Sequence, residues 1–169
     1  CEVCHRTGNC IHHDDLIPLR KKLLAADGVI LAAPNYFRTV PAQMKTLLDR
    51  MSDIVHCQLF TGKYAASIST SGGPACEEVT HYLNTILTSL GACVVGSTAA
   101  ALNAGPDAMV AAEKKAEALG REMVKAITTR RVYPEQQAIH QQTGAYFRRL
   151  VESRKDTWPF EYGLWQKKV

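Results

Sequence analysis

Five apolar residues in a row, Val29-Ile30-Leu31-Ala32-Ala33, stop at Pro34, and shortly afterwards the hydrophobic pattern changes period. A continuous apolar run ended by proline suits a strand buried on both faces of a parallel sheet. Val40, Met44, Leu47, Leu48, Met51, Ile54 and Val55 then recur at the spacing of one helical face, which predicts a single amphipathic helix. The alternation repeats. Tyr64 to Thr70 reads as a strand, Ser71-Gly72-Gly73-Pro74 as a loop, and Val79, Leu83, Ile86, Leu87 and Leu90 as the stripe of a helix closed by Gly91. Ala92 to Thr98 is a third strand, followed by an Asn103-Ala104-Gly105-Pro106 turn and a long helix to about Thr128. Upstream, Leu16 to Ala26 forms a short helix with Asp14 or Asp15 as N-cap and Pro18 in its first turn. Strands alternating with helices of this length build right-handed βαβ units, so the fold class is α/β with a parallel sheet covered by helices.

The composition of the 169 residues, 46% hydrophobic and 21% charged, excludes disorder and suits one soluble domain. The longest nearly uncharged runs, around Val29 to Phe37 and Leu83 to Leu102, are broken by polar residues and glycine, so no membrane span is expected. No export signal precedes the first element, and a cytoplasmic protein is expected. The net charge of +4 lies in the tail: residues 130–169 hold eight Lys/Arg against four acids, whereas the first 129 residues balance at twelve each. Arginine pairs spread along a helix read as a solvated face rather than a nucleic-acid surface, a patch for an anionic partner being the alternative. Residues 130–169 are expected as a helical extension packed on a domain of residues 1–129. Its helix opens at Tyr133-Pro134, with Ile139, Tyr146, Phe147, Leu150 and Val151 on one side. The aromatic ending, Trp158 to Trp165, packs as a flap on that domain or covers a subunit interface or ligand.

Ligands of open parallel sheets bind beyond the carboxyl ends of the strands. The first strand delivers Pro34-Asn35-Tyr36-Phe37 there, with backbone amides and two aromatic rings suited to a flat heteroaromatic ligand. The second delivers Ser71-Gly72-Gly73, whose glycines let backbone approach such a ligand closely.

The runs Cys1-x2-Cys4-x5-Cys10-x3-Asp14-Asp15-Leu16, Ala33-Pro34-Asn35-Tyr36-Phe37, Gln43-Met44-Lys45, Leu48-Asp49-Arg50 and Ser71-Gly72-Gly73 together resemble the flavodoxin-like NAD(P)H-dependent FMN reductase family, including its iron-sulfur flavoprotein branch. The ending Trp158-Pro159-x-Glu161-Tyr162-x2-Trp165 resembles C-termini of that group. The resemblance implies a flavodoxin-like three-layer αβα fold of strand order 2-1-3-4-5, of which the third, fourth and fifth strands are visible. It implies FMN with its ring between Pro34 to Phe37 and Ser71 to Gly73. NAD(P)H would be the co-substrate, and a quinone, nitro compound, free flavin or metal centre the electron acceptor. The chemistry is the flavin's own, so no catalytic side chain is nominated. A homodimer or tetramer is expected from the same likeness. The family's phosphate-gripping loop and first βαβ unit are not found, so the chain from Cys1 is expected to be the latter part of a longer domain with weakened FMN binding. Val29 to Ala33 would then be an unpaired apolar edge. An FMN electron carrier without pyridine-nucleotide oxidation and a cofactor-free interaction module using the aromatic flap are the alternatives.

Of six cysteines, Cys93 reads as a small core residue, Cys76 follows the glycine loop toward the ring, and Cys57 is isolated. Cys1, Cys4 and Cys10 resemble the last three ligands of a four-cysteine motif, which implies a [4Fe-4S] site. A metal-free loop and a zinc site completed by His12 or His13 are the alternatives. His5, His12 and His13 are otherwise expected as exposed loop histidines, and disulfides are not expected.

Overall fold

A computed structural model describes residues 1–168. Three strands, β1 (Gly28–Pro34), β2 (Tyr64–Ser71) and β3 (Cys93–Ala101), form one parallel sheet in the order β1-β2-β3. The register runs from Gly28 opposite Tyr64 to Pro34 opposite Thr70, so the first two strands end level. The pairing of β2 with β3 slips once, between Ala65 and Ala66. Between them run α3 (Ala42–Asp49), α4 (Ser52–His56) and α5 (Cys76–Ser89), and a 3₁₀ turn at Leu102–Ala104 leads into α6 (Pro106–Thr129). Ahead of β1 lie α1 (Val3–Thr7) and α2 (Leu16–Ala25); α7 (Pro134–Ser153) and α8 (Pro159–Gln166) close the chain.

One face of the sheet carries the core. Val29, Leu31 and Ala33 of β1 and Ala65 of β2 pack against Val79, Leu83 and Leu87 of α5, with Leu48, Met51, Ile54 and Phe60 filling the flank. On the other face α6 lies over β2 and β3, close enough that Leu119 touches Gly96 and Met123 and Ile127 cover Gly28. Together these give the three layers expected. The strand β1 departs from expectation: its residues alternate buried and exposed, and Ile30 is 50% exposed on the outer face. With β2 as its one partner among the described residues, β1 is an edge, and α6 does not reach over Ile30 and Ala32. Cys93, expected in the core, is half-buried at the start of the other edge strand.

The single helix expected over Val40 to Val55 is two helices. The break falls at Arg50 and Met51, where Arg50 is drawn toward the N-terminal segment and Met51 leaves helical geometry at φ −106. The stripe survives the break because Leu48, Met51 and Ile54 enter the same core. On α7, Val151 is buried, but Ile139 and Tyr146 of the expected apolar side face solvent. Trp158 is buried, so the aromatic ending is turned inward. Among the described residues, no helix is long and apolar enough to cross a membrane.

Candidate functional site

Because β1 and β2 are parallel neighbours that end level, the segments leaving them lie side by side. Asn35 ties them together. Its backbone N–H donates to the Thr70 carbonyl at 2.7 Å, and its Nδ2 donates to the Ala75 carbonyl at 3.0 Å. Its Oδ1 is buried without a partner. A buried acceptor left unpaired costs about 1–3 kcal/mol, which a donor on a bound molecule would recover. Beyond it, reciprocal backbone bonds between Tyr36 and Thr39 close a tight turn at 2.9 and 3.1 Å, with Phe37 and Arg38 at φ 50 and 65. Two consecutive residues with side chains in the left-handed region store roughly 1–3 kcal/mol each. The turn leaves Tyr36 61% exposed and Phe37 fully exposed, while Arg38 is anchored by a two-pronged pair with Glu78 of α5.

Across from this turn, the Ser71 hydroxyl accepts from Gly73 N–H at 3.2 Å and faces the Pro74 carbonyl at 3.4 Å. A Cβ at Gly72 would meet nothing within 4 Å, and at Gly73 only Asn103 Nδ2 at 3.9 Å. The backbone there borders open space. Pro34, Asn35, Tyr36, Phe37, Ser71, Gly72 and Gly73 therefore share one end of the sheet, next to a groove of about 180 Å³ between the last residues of β1 and β2. Cys76 lies beneath, buried in the first turn of α5, where burial and then Glu77 push its thiol up.

Cys1, Cys4 and Cys10 line a second cavity, of about 410 Å³, together with His12, Arg20 and Arg50. The segment expected as a loop contains the short helix α1, so Cys4 and His5 sit on one turn. Arg50 organises the rim: it donates to Cys10 Sγ at 3.1 Å and to both carboxylate oxygens of Asp14 at 2.7 and 3.0 Å. These bonds hold the Asp14 carboxyl down to about 2 and lower the Cys10 thiol, whereas burial and then Asp53 raise that of Cys4. His12 lines the cavity; His13 is exposed outside it.

A third grouping lay outside the sequence expectations. His5 is buried rather than looped out, with 7% of its surface exposed. Its Nδ1 meets Glu161 Oε1, while His56 Nδ1 lies 3.1 Å from Glu161 Oε2, and Glu161 is wholly buried. Trp158 stacks on both imidazoles, with centroids 4.6 and 5.1 Å away. Arg20 pairs with buried Asp53 nearby. The signal in the sequence was an acid set between Phe160 and Tyr162, where an ordinary helix would place another apolar residue.

Comparison with known proteins bears on the family and the fold of the chain. The pattern of the family described as NADPH-dependent FMN reductase matches residues 2–107. An iron-sulfur flavoprotein of Archaeoglobus fulgidus is 40% identical over 97 residues, 57% of this chain and 44% of that protein. An FMN-dependent NADH:quinone oxidoreductase of Shewanella putrefaciens is 34% identical over 101 residues, 52% of this chain and 51% of that one. The chain thus spans less than half the length of the iron-sulfur flavoproteins it matches. A crystal structure of an apo NADH:FMN oxidoreductase superposes with a TM-score of 0.54 at 22% identity, covering 79% of this chain and 68% of that one. That likeness shows the fold, a flavodoxin-like α/β architecture. Since the family pattern takes in well over half of its length, the chain belongs to the NADPH-dependent FMN reductase family.

Proposed function

We propose that this chain carries the ring-binding side of an FMN-dependent oxidoreductase that draws electrons from NAD(P)H. The observation that carries the reading is the cross-tied pair of strand ends: Asn35 fixes the first loop to the second, and its buried Oδ1 lacks a partner. These residues fit a flavin ring. Gly72 and Gly73 leave room for a flat ring against backbone, and the exposed rings of Tyr36 and Phe37 stand at its border. When bound, FMN would accept hydride from a nicotinamide and pass electrons to an acceptor such as a quinone, nitro compound, free flavin or metal centre. The protein's part is to orient. Asn35 Oδ1 would accept from a ring N–H, backbone amides of the glycine loop would face ring carbonyl oxygens, and the strained Phe37-Arg38 turn would hold the aromatic rim in place.

Cys1, Cys4 and Cys10 are the residues that would hold an iron-sulfur cluster, a reading supported by their shared cavity and by the relatives named iron-sulfur flavoproteins. In that second reading these thiols would hold a one-electron carrier on the same chain as the flavin-binding loops. A homodimer or tetramer, with a small molecule as acceptor, completes the proposal. The test is anaerobic purification followed by FMN titration and NADH or NADPH consumption. Flavin absorption with nucleotide oxidation supports the reductase, flavin binding without it supports the carrier, and no flavin binding overturns both. Iron and sulfide analysis decides the cluster separately.

A further inference from the structure

We propose that His5, His56 and Glu161 form a binding site for one divalent transition-metal ion, separate from both the strand-end loops and the three clustered cysteines. One nitrogen of each imidazole and one carboxylate oxygen all lie within 4.8 Å of one another. Helices α1, α4 and α8 supply one residue each, at separations of 156 and 105 positions along the chain, so tertiary packing rather than local sequence creates the convergence.

Two imidazoles and a carboxylate are the donor set of an intermediate-softness cation such as Zn²⁺, Co²⁺ or Fe²⁺, and they disfavour Ca²⁺ or Mg²⁺, which take oxygen ligands. The electrostatics point the same way. Glu161 and Asp53 are both fully buried, and among the described residues Arg20 is the one cation paired with either by a guanidinium or ammonium group. A buried carboxylate is costly unless it is paired or metal-bound, and a dication held between Glu161 and the two imidazoles would supply that positive charge. Trp158 stacks over both rings and Phe147 lies beside His56, so solvent is kept from one side. His5 also lines the cavity that holds Cys4, whereas His56 and Glu161 are not among its lining residues.

The test uses Co²⁺ and Zn²⁺ with the chain in two forms, wild type and Cys1→Ser/Cys10→Ser, so that metal held by the clustered thiols is recognised. Equilibrium dialysis and the visible absorption of Co²⁺ should report one ion per chain in the double variant. Glu161→Gln should weaken binding beyond the roughly 10–100-fold that loss of an outer-shell partner costs. His56→Phe, which keeps a ring against Trp158 but removes the nitrogens, gives the same reading if Glu161→Gln fails to fold by circular dichroism. Binding lost in the double variant, binding unchanged in Glu161→Gln and His56→Phe, or no binding in any form would overturn the proposal. None of these results depends on flavin or nucleotide.

Discussion

A side chain at Gly72 would project into open space, whereas one at Gly8 would strike the Phe160 ring at 2.4 Å from a backbone held at φ +75. The two glycines therefore answer different questions. Gly8→Ala should cost about 1–2 kcal/mol from the left-handed backbone alone, read as a lowered urea midpoint. Gly72→Val should leave stability within about 0.5 kcal/mol. Its methyl groups would occupy the space assigned to the ring, so FMN affinity should fall by about tenfold, which fluorescence titration measures. An unchanged affinity would remove the glycine loop from the site.

Asp14 offers a second test at this scale. Hydrogen bonds from Arg50 hold its carboxyl at about 2, against an ordinary value of 3.8. A folded-state value below the unfolded one means that the contribution is complete above pH 3.8 and is lost as pH falls through about 2. Carboxyl carbon NMR should place the midpoint near 2 in the wild type and raise it toward the ordinary value in Arg50→Gln, where the Leu16 N–H still donates to Asp14 Oδ1.

Among elements, the edge strand β3 shows how the tail is attached. Gln136 of α7 accepts from Val94 N–H at 2.7 Å and donates to the Val94 carbonyl at 2.8 Å, taking the place of a neighbouring strand. Edge strands expose unpaired backbone groups, and one amide side chain satisfies two of them here. Gln136→Ala should destabilise the protein by about 1–3 kcal/mol and speed amide exchange at Val94, measurable by hydrogen-exchange mass spectrometry. Loss of stability without faster exchange at Val94 would assign Gln136 a different role. The elements themselves were legible because period and punctuation agree: Pro34, Gly91 and Pro106 each stand within a residue or two of an observed boundary. What stayed hidden depends on partners distant in sequence. The run Val29 to Ala33 reads as buried on both faces, but exposure of Ile30 is decided by how far α6 reaches. The break at Arg50 is set by Asp14 and Cys10, 36 and 40 positions away, and leaves the apolar stripe intact. Glu161 stands out locally as an acid between two aromatic residues, but its partners stayed hidden for the same reason, since the two histidines lie more than a hundred positions upstream.

For the whole molecule, α3 is the link between the two candidate centres. Its chain enters from the Tyr36 turn and leaves at Asp49 and Arg50, which line the cysteine cavity. Eight residues at about 1.5 Å each separate the ends by about 12 Å, far enough that neither site supplies side chains to the other. The strand-end loops should therefore bind FMN with the thiols removed. A ligand that binds the folded state alone stabilises it by about 2.7 kcal/mol at a hundred times its Kd. FMN at that level should raise the melting temperature of wild type and of Cys1→Ser/Cys4→Ser/Cys10→Ser by the same increment, measured from each protein's own baseline. In Gly72→Val at the same FMN concentration, now only about ten times its Kd, the stabilisation should fall by roughly half. An FMN shift that disappears with the cysteines would mean that the flavin depends on the cavity at the far end of α3, and the separation of the two sites would have to be abandoned.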